Sequence, residues 1–341
     1  MYIGRFAPSP TGSLHLGSLL AAVGSFLNAR SRGGRWLERM EDLDRARLVP
    51  GSADEILRTL EAFGLYWDGE VEYQSRRTDC YAAALTTLRT AGHTFECSCS
   101  RRELTTEGEP TEEASARAGT RGPAALPPGV SRGSDERADR SPPRASAEQG
   151  PRSGMAIGTS YPGTCRTGPR RPGDTATRFR IDETVTAVFE DRFQGSIALA
   201  LDKLGDVIVR RRDGIFAYQL AVVVDDARQG ITDVVRGADL LESTGWQIAL
   251  QRALRLPTPR YAHLPLLLER SGEKLSKSRR STALAAEPAG AELLNVLRLL
   301  GLDPPVPPAD LAGTVPAAML EWATRRWPDT PAPLVRQLVV P

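Results

Sequence analysis

The chain has 341 residues, 40% of them hydrophobic, with 44 Lys plus Arg against 42 Asp plus Glu, which leaves room for two ordinarily packed domains. A formal charge of +2 excludes nucleic-acid binding through a global field, so any such contact must come from local clusters such as Arg210-Arg211-Arg212 and Arg279-Arg280. Four cysteines, no secretory signal and no long apolar run, Leu220 to Val224 being far too short, point to a reduced, cytoplasmic protein with no membrane partner and no disulfide framework.

From the amino end, a short apolar start, the turn-rich run Ala7 to Ser13 and the apolar-periodic run Leu19 to Leu27 predict a strand, a loop and a helix opening between His15 and Ser18. Unpaired N–H groups at such a helix end favour anions, and Gly17, with no Cβ, lets a flat or phosphorylated ligand approach the backbone. His15, one of three histidines, is placed there to donate to phosphate or ribose oxygens. Strands follow at Arg35 to Arg39, Val207 to Arg210, Asp233 to Val235 and His263 to Leu268. Helices are predicted at Ala53 to Phe63, Thr78 to Ala91, Tyr218 to Val224 and Asp239 to Arg255, with Arg211 to Gly214 as a hairpin turn. Cys80 reads as a packed residue of the second of these helices. Helical spacing returns at Ala291 to Leu302 and Ala317 to Arg326. Strands alternating with helices imply an α/β fold with a doubly wound parallel sheet, ligands lying above the carboxyl ends of its strands. Residues 103 to 153 contain no aromatic residue and no sustained period, and they read as a disordered, solvated insertion; nucleic-acid binding by its arginines is the second reading.

Lysine occurs only at positions 203, 274 and 277. Two of the three stand in Glu273-Lys274-Leu275-Ser276-Lys277-Ser278, and a compact ammonium surviving in an arginine-biased chain points to phosphate chemistry on a flexible loop. A metal-ligand pattern also stands out. Cys97-Ser98-Cys99 precedes the insertion and Tyr161-Pro162-Gly163-Thr164-Cys165 follows it, so three thiolates and a phenolate are available to close a tetrahedron around zinc. The alternative is three buried or free cysteines in a small subdomain. A long intervening loop does not forbid the site, because closure entropy grows only logarithmically with length.

The stretch Arg5-Phe6-Ala7-Pro8-Ser9-Pro10-Thr11-Gly12-Ser13-Leu14-His15-Leu16-Gly17 resembles the first nucleotide signature of the class I aminoacyl-tRNA synthetases, in the version of the glutamyl branch. Lys274-Leu275-Ser276-Lys277-Ser278 resembles the lysine loop that partners it, with Leu275 in place of methionine. Between them Arg39 to Asp44, Phe216 to Asp226 and Val235 to Leu241 are each similar to a block of that branch, in the same order. The resemblance implies the class I Rossmann-like variant of the doubly wound fold, with a small zinc-binding insertion and a short C-terminal helical part. It divides the chain into 1–95, the first half of the catalytic domain; 96–177, the insertion; 178–268, the second half; and 269–341, the lysine loop and supporting helices.

The implied activity is ATP-dependent activation of L-glutamate. An amino acid with a carboxylate side chain carries two anionic groups and an ammonium, so its pocket needs two cationic or donor partners and one carboxylate. The positions matching the family's pocket are Arg5, Ser9, Glu41, Tyr218 and Arg236. ATP, accompanied by Mg2+, would meet Pro8, Ser9, His15, Gly17 and Lys277, with His15, Lys274 and Lys277 as the catalytic groups. The family pattern also implies one structural Zn2+ on Cys97, Cys99, Tyr161 and Cys165. Only Arg279 to Pro341 follow the lysine loop, too little for a large anticodon-binding region. The chain is therefore most similar to truncated paralogues of the branch, whose implied acceptor is the queuosine base of tRNA(Asp), and it is expected to be a monomer. A minimal synthetase charging the 3′ end of tRNA(Glu) and an inactive tRNA-binding module are the alternatives.

Overall fold

The computed structural model describes residues 1–100, 103–104, 161–181, 186–268, 289–304, 316–327 and 337–339. In chain order its strands are β1 (Ile3–Phe6), β2 (Arg35–Met40), β3 (Glu72–Tyr73), β4 (Thr94–Cys97), β5 (Ala176–Phe179), β6 (Thr186–Asp191), β7 (Gly195–Ala200), β8 (Val207–Arg210), β9 (Asp233–Gly237), β10 (Arg260–Leu264), β11 (Leu266–Leu268) and β12 (Gln337–Val339). The longer helices are α1 (Leu16–Arg30), α2 (Ser52–Ala62), α3 (Thr78–Thr90), α4 (Tyr218–Arg228), α5 (Ser243–Ala253), α6 (Ala289–Leu299) and α7 (Pro316–Arg326).

The expected parallel array is built in two runs, β1-β2-β3 and β9-β10-β6, with β7 added antiparallel beside β6. Thr232 joins the runs. Its N–H donates to the Ile3 carbonyl at 2.9 Å, and its Oγ1 receives the Ile3 N–H at 2.9 Å. Strands covered on both faces must be apolar on both, and β2 shows this directly. Trp36 and Met40 enter one core cluster with α1, α2, α6 and α7, whereas Leu37, on the opposite face, enters a second with α3, α4 and α5. Gly24 sets how closely α1 approaches the sheet: a Cβ there would meet Leu264 Cδ1 at 2.6 Å. Leu293, Leu297, Met319 and Leu320 of α6 and α7 pack into the same core as Leu19, Leu20 and Leu27 of α1. The C-terminal helices thus support the nucleotide-binding layer, as their spacing suggested.

Several elements differ from the sequence reading. Pro265 cannot donate to a ladder, and the predicted His263–Leu268 strand is divided there into β10 and β11. A 3-10 turn at Ala238–Leu240 precedes α5 instead of a helix continuous from Asp239. The expected strand Val207–Arg210 is present as β8, but its antiparallel partners β5 and β4 and the β6–β7 hairpin have no counterpart in the periodicity analysis. The Arg211–Gly214 turn is present, with Gly214 at φ +82° and its N–H on the Arg211 carbonyl at 3.1 Å.

Residues 1–99 with 161–341 form one compact unit, and residues 100–160 cluster separately. In the latter, Ser100 N and Oγ donate to Glu103 Oε2 at 2.6 and 2.7 Å. Lys274, Lys277 and all of the 103–153 insertion except Glu103 and Leu104 lie outside the described residues. Among the described residues no helix is long and apolar enough to cross a membrane.

Candidate functional site

The carboxyl ends of β1, β2 and β9 bring charge together from three parts of the sequence. Arg5 on β1 is 4% exposed and donates from Nε to Asp226 Oδ1 at 3.2 Å. Arg39 on β2, fully buried, places Nη2 2.8 Å from the same oxygen and 3.5 Å from Glu41 Oε1. Asp226 is therefore shared by two guanidinium groups. Burial opposes its ionisation, but the charges of Arg5 and Arg39 hold its carboxyl below the usual carboxylate range. The neighbouring Asp225 receives Tyr81 OH at 2.7 Å and Gln74 Nε2 at 2.9 Å and pairs with Arg77 Nε at 2.8 Å, anchoring α4 to α3.

Glu41 follows β2, and its N–H donates to the Pro8 carbonyl at 2.9 Å, tying the strand end to the signature loop. Burial pushes its carboxyl up to about 7, against the lowering fields of Arg39 and Arg5. Tyr218 opens α4. Its hydroxyl is pushed up by burial and lies in the fields of Arg236, Glu41, Arg5 and Asp226, so four of the five pocket residues named from the sequence, Arg5, Glu41, Tyr218 and Arg236, lie near one another. Arg236, 5% exposed, donates from Nη1 to Tyr218 OH at 3.2 Å, from Nε to His263 Nε2 at 3.1 Å, and from Nη2 to Thr244 Oγ1 at 2.7 Å and the Leu240 carbonyl at 3.4 Å. Every one of these acceptors is neutral.

The signature loop is braced by α2. Gly12 N donates to Ser52 Oγ at 3.1 Å, Ser52 Oγ returns to the Gly12 carbonyl at 2.7 Å, and Ser13 Oγ donates to Glu55 Oε1 at 2.5 Å. Ser9 is exposed, its carbonyl receiving Thr11 N at 2.8 Å. His15 is the N-cap of α1, with Nδ1 accepting the Ser18 N–H at 3.2 Å and Nε2 3.1 Å from Ser18 Oγ. A Cβ on Gly17 would press on that ring at 3.2 Å, so the glycine also makes room for the capping histidine. The cavity of about 440 Å3 lined by Asn28, Asp233 and Arg260 opens at the amino ends of β9 and β10, the opposite end of β9 from Arg236.

The sulfur-rich cluster forms where the sequence placed it. The Sγ atoms of Cys97, Cys99 and Cys165 lie within 4.8 Å of one another, with Cys99 and Cys165 3.4 Å apart. Tyr161 OH is 3.4 Å from Cys97 Sγ, 3.9 Å from Cys99 Sγ, and receives the Cys165 N–H at 2.7 Å. Burial pushes the Cys99 thiol up to about 12. Burial pushes Cys165 the same way, but hydrogen bonds from the backbone of Ser98 and Arg170 and from Tyr161 and Cys99 together bring it down to about 6. Zinc with sulfur ligands at ~2.3 Å holds them roughly 3.8 Å apart, so this donor set fits a closed tetrahedral site. Arg178 stacks over the Tyr161 ring, Cζ to centroid 3.8 Å.

The sequence reading did not find Asp226, Arg39, Asp191, His263 or Thr244 as site residues. Asp226 and Arg39 stood inside recognised blocks, and buried arginines in need of a counter-charge were the available signal. His263 and Asp191 carried none.

A family model described as tRNA synthetases class I (E and Q), catalytic domain, matches residues 3–123 and 144–305. The chain is 46% identical over 342 residues to the Glutamyl-Q tRNA(Asp) synthetase of Dechloromonas aromatica, covering 100% of this chain and 98% of that protein. It is 47% identical over 330 residues to that of Thiobacillus denitrificans, covering 95% and 93%. Among solved structures, the glutamate tRNA ligase from Elizabethkingia meningosepticum in complex with its amino acid superposes with a TM-score of 0.60 at 25% identity, over 82% of this chain and 52% of that chain. The chain thus spans about half the length of that ligase.

Proposed function

The chain belongs to the class I tRNA synthetases of the Glu and Gln branch, and from that premise we propose that it activates L-glutamate with ATP and transfers it to the queuosine base in the anticodon loop of tRNA(Asp). The observation that carries the amino-acid side is a pocket holding a buried guanidinium with only neutral acceptors, Arg236, opposite a buried carboxylate, Glu41. Such a pair suits a zwitterionic ligand with an extra carboxylate. The acceptor is supported by the names of relatives matched along nearly their full length.

The reaction has two steps. A glutamate α-carboxylate oxygen attacks the α-phosphorus of ATP and pyrophosphate leaves; a tRNA hydroxyl then attacks the acyl carbon and AMP leaves. Arg5 and Arg236 serve the two carboxylates, Glu41 the ammonium, and Tyr218 and Ser9 donate hydroxyls. His15, Gly17 and Pro8 meet the nucleotide, with Lys274 and Lys277 offsetting charge on the phosphates. Positioning and electrostatics supply the rate, with no covalent enzyme intermediate. Mg2+ accompanies ATP. Cys97, Cys99, Tyr161 and Cys165 would hold one zinc ion, whose role there would be structural.

The test is to incubate the protein with ATP, labelled glutamate and total tRNA. Label is expected on queuosine of tRNA(Asp) and absent from tRNA lacking that base. Release of the label with the 3′-terminal adenosine of tRNA(Glu) would overturn the reading in favour of a minimal synthetase. Glutamate-dependent pyrophosphate exchange is expected without tRNA. Metal analysis is expected to give one zinc per chain, reduced in Cys99→Ala.

A further inference from the structure

Arg236 is held by a neutral histidine whose own carboxylate partner stands one ring further back. On β9 and β10, Arg236 and His263 are register partners, and the His263 ring is fully buried. Its Nδ1 lies 2.5 Å from Asp191 Oδ2, and its Nε2 faces two donors, Arg236 Nε at 3.1 Å and the Thr244 hydroxyl at 3.1 Å. An arginine N–H can only donate, so His263 Nε2 must be the lone-pair nitrogen and Nδ1 must carry the proton given to Asp191. The hydroxyl of Thr244 accepts from Arg236 Nη2 at 2.7 Å and has a single proton to give, either to His263 Nε2 or to the Leu240 carbonyl at 3.2 Å. Asp191 is itself fixed: Oδ1 accepts the backbone N–H groups of Phe193, Gln194 and His263 at 3.0, 2.9 and 3.1 Å.

We propose that Asp191 and His263 are positioning residues for substrate, fixing the guanidinium plane of Arg236 through a neutral imidazole so that its charge stays available to a glutamate carboxylate. This rests on reading Arg236 as a glutamate ligand. A carboxylate placed directly on Arg236 would compete with the substrate for the same N–H groups and cancel the field that attracts it. An imidazole fixes geometry without doing either. Burial and the adjacent Arg236 charge both lower the His263 pKa, to about 4 despite Asp191, so the ring stays neutral across the physiological range.

The chain has three histidines, so the imidazole 15N spectrum of uniformly labelled protein can be assigned by single substitution. One ring is expected to be the Nδ1-protonated neutral tautomer, unchanged between pH 6 and pH 8 and lost in His263→Gln. An Nε2-protonated or charged His263 would overturn the proposal without any variant having to fold. In glutamate-dependent pyrophosphate exchange, His263→Ala and Asp191→Asn are expected to raise the KM for glutamate by about 10-fold or more, the scale of a hydrogen bond to a charged group, with the KM for ATP unchanged. Equal effects on both KM values, or none on that of glutamate, would overturn it. Should Arg236→Gln itself leave the glutamate KM unaltered, the pocket assignment fails. A large Arg236 effect beside a silent His263 would fail this inference alone.

Discussion

Arg5 and Arg236 enter the same pocket from neighbouring strands and are compensated in opposite ways. Arg5 lies directly on Asp226, but it shares that carboxylate with Arg39, so one fixed negative charge is divided between two guanidinium groups. Arg236 touches an imidazole, two hydroxyls and a carbonyl, and the Asp191 carboxylate that holds the imidazole is separated from it by the ring. Identical side chains at similar burial are therefore held in place by different means, one by a shared carboxylate and the other by neutral groups. Burying a guanidinium beside neutral groups costs more than burying it in an ion pair. That cost is offset once a substrate carboxylate arrives.

The difference can be broken most forcefully at Asp226. Replacing it with Asn leaves two buried guanidinium groups short of a counter-charge, and Asp226→Asn is expected to lower unfolding free energy by about 3–5 kcal/mol in urea titration. A loss well under ~1 kcal/mol would show that the shared Asp226 carboxylate is not what holds the two arginines. On the other side the effect should fall on ligand instead. Arg236→Gln is expected to weaken glutamate binding by about 100-fold, the scale of losing a desolvated charge pair, with near-native stability; calorimetric titration and thermal melting separate the two.

Glu41 lies 3.5 Å from Arg39 Nη2, and its carboxyl lies up at about 7 because it is buried. To meet an ammonium it must be ionised. As pH falls from 8 to 6 it takes up its proton, and the KM for glutamate is expected to rise by about 10-fold; Glu41→Gln should bind weakly at every pH and lose that slope. A flat wild-type profile would remove Glu41 from the ammonium site. The subtlest effect lies across β2. Arg39 faces the ion-pair network, but Glu38, one residue earlier and fully buried, points into the opposite core with neither carboxyl oxygen hydrogen-bonded among the described residues. Burial raises its pKa well above the ordinary carboxylate value. The native state therefore keeps a proton that the unfolded chain gives up, and stability falls as pH rises through the interval between the two values. Glu38→Gln is expected to melt higher than the wild type at pH 8, with the gap closing towards pH 4. A constant gap would mean the carboxyl is not the cause.

How far the sequence could reveal this pocket depended on whether a residue acts within its own segment. Arg5, Glu41, Tyr218 and Arg236 each lie in a short block with its own pattern, and α1, α2, α3 and α4 announce themselves by periodicity and a cap or turn at the start. His263 has its meaning only through Asp191, 72 residues earlier, and through its register with β9. No local pattern records either. β4 and β5 pair across the whole insertion, so the hydrogen bonds that make each a strand come from far along the chain, and four-residue elements carry too little alternation to be read alone. The Cys and Tyr group was legible for the opposite reason: soft ligands at fixed spacing are rare enough to stand out even when divided.

Asn28, near the end of α1, receives three donors on Oδ1: Arg32 Nη1 at 2.8 Å, Arg192 Nη1 at 2.8 Å and Trp327 Nε1 at 3.2 Å, the last from a residue 299 positions away. The helix that opens the signature loop is thereby finished by side chains synthesised long after it. During translation its apolar face must wait for Leu293, Leu297, Met319 and Leu320, which cover it in the native core. Contacts of such sequence separation make folding slow and leave that face open meanwhile. Maturation of the amino-terminal nucleotide site is in this sense a late event on the ribosome, and a nascent chain stalled before residue 289 should engage holdase chaperones through α1.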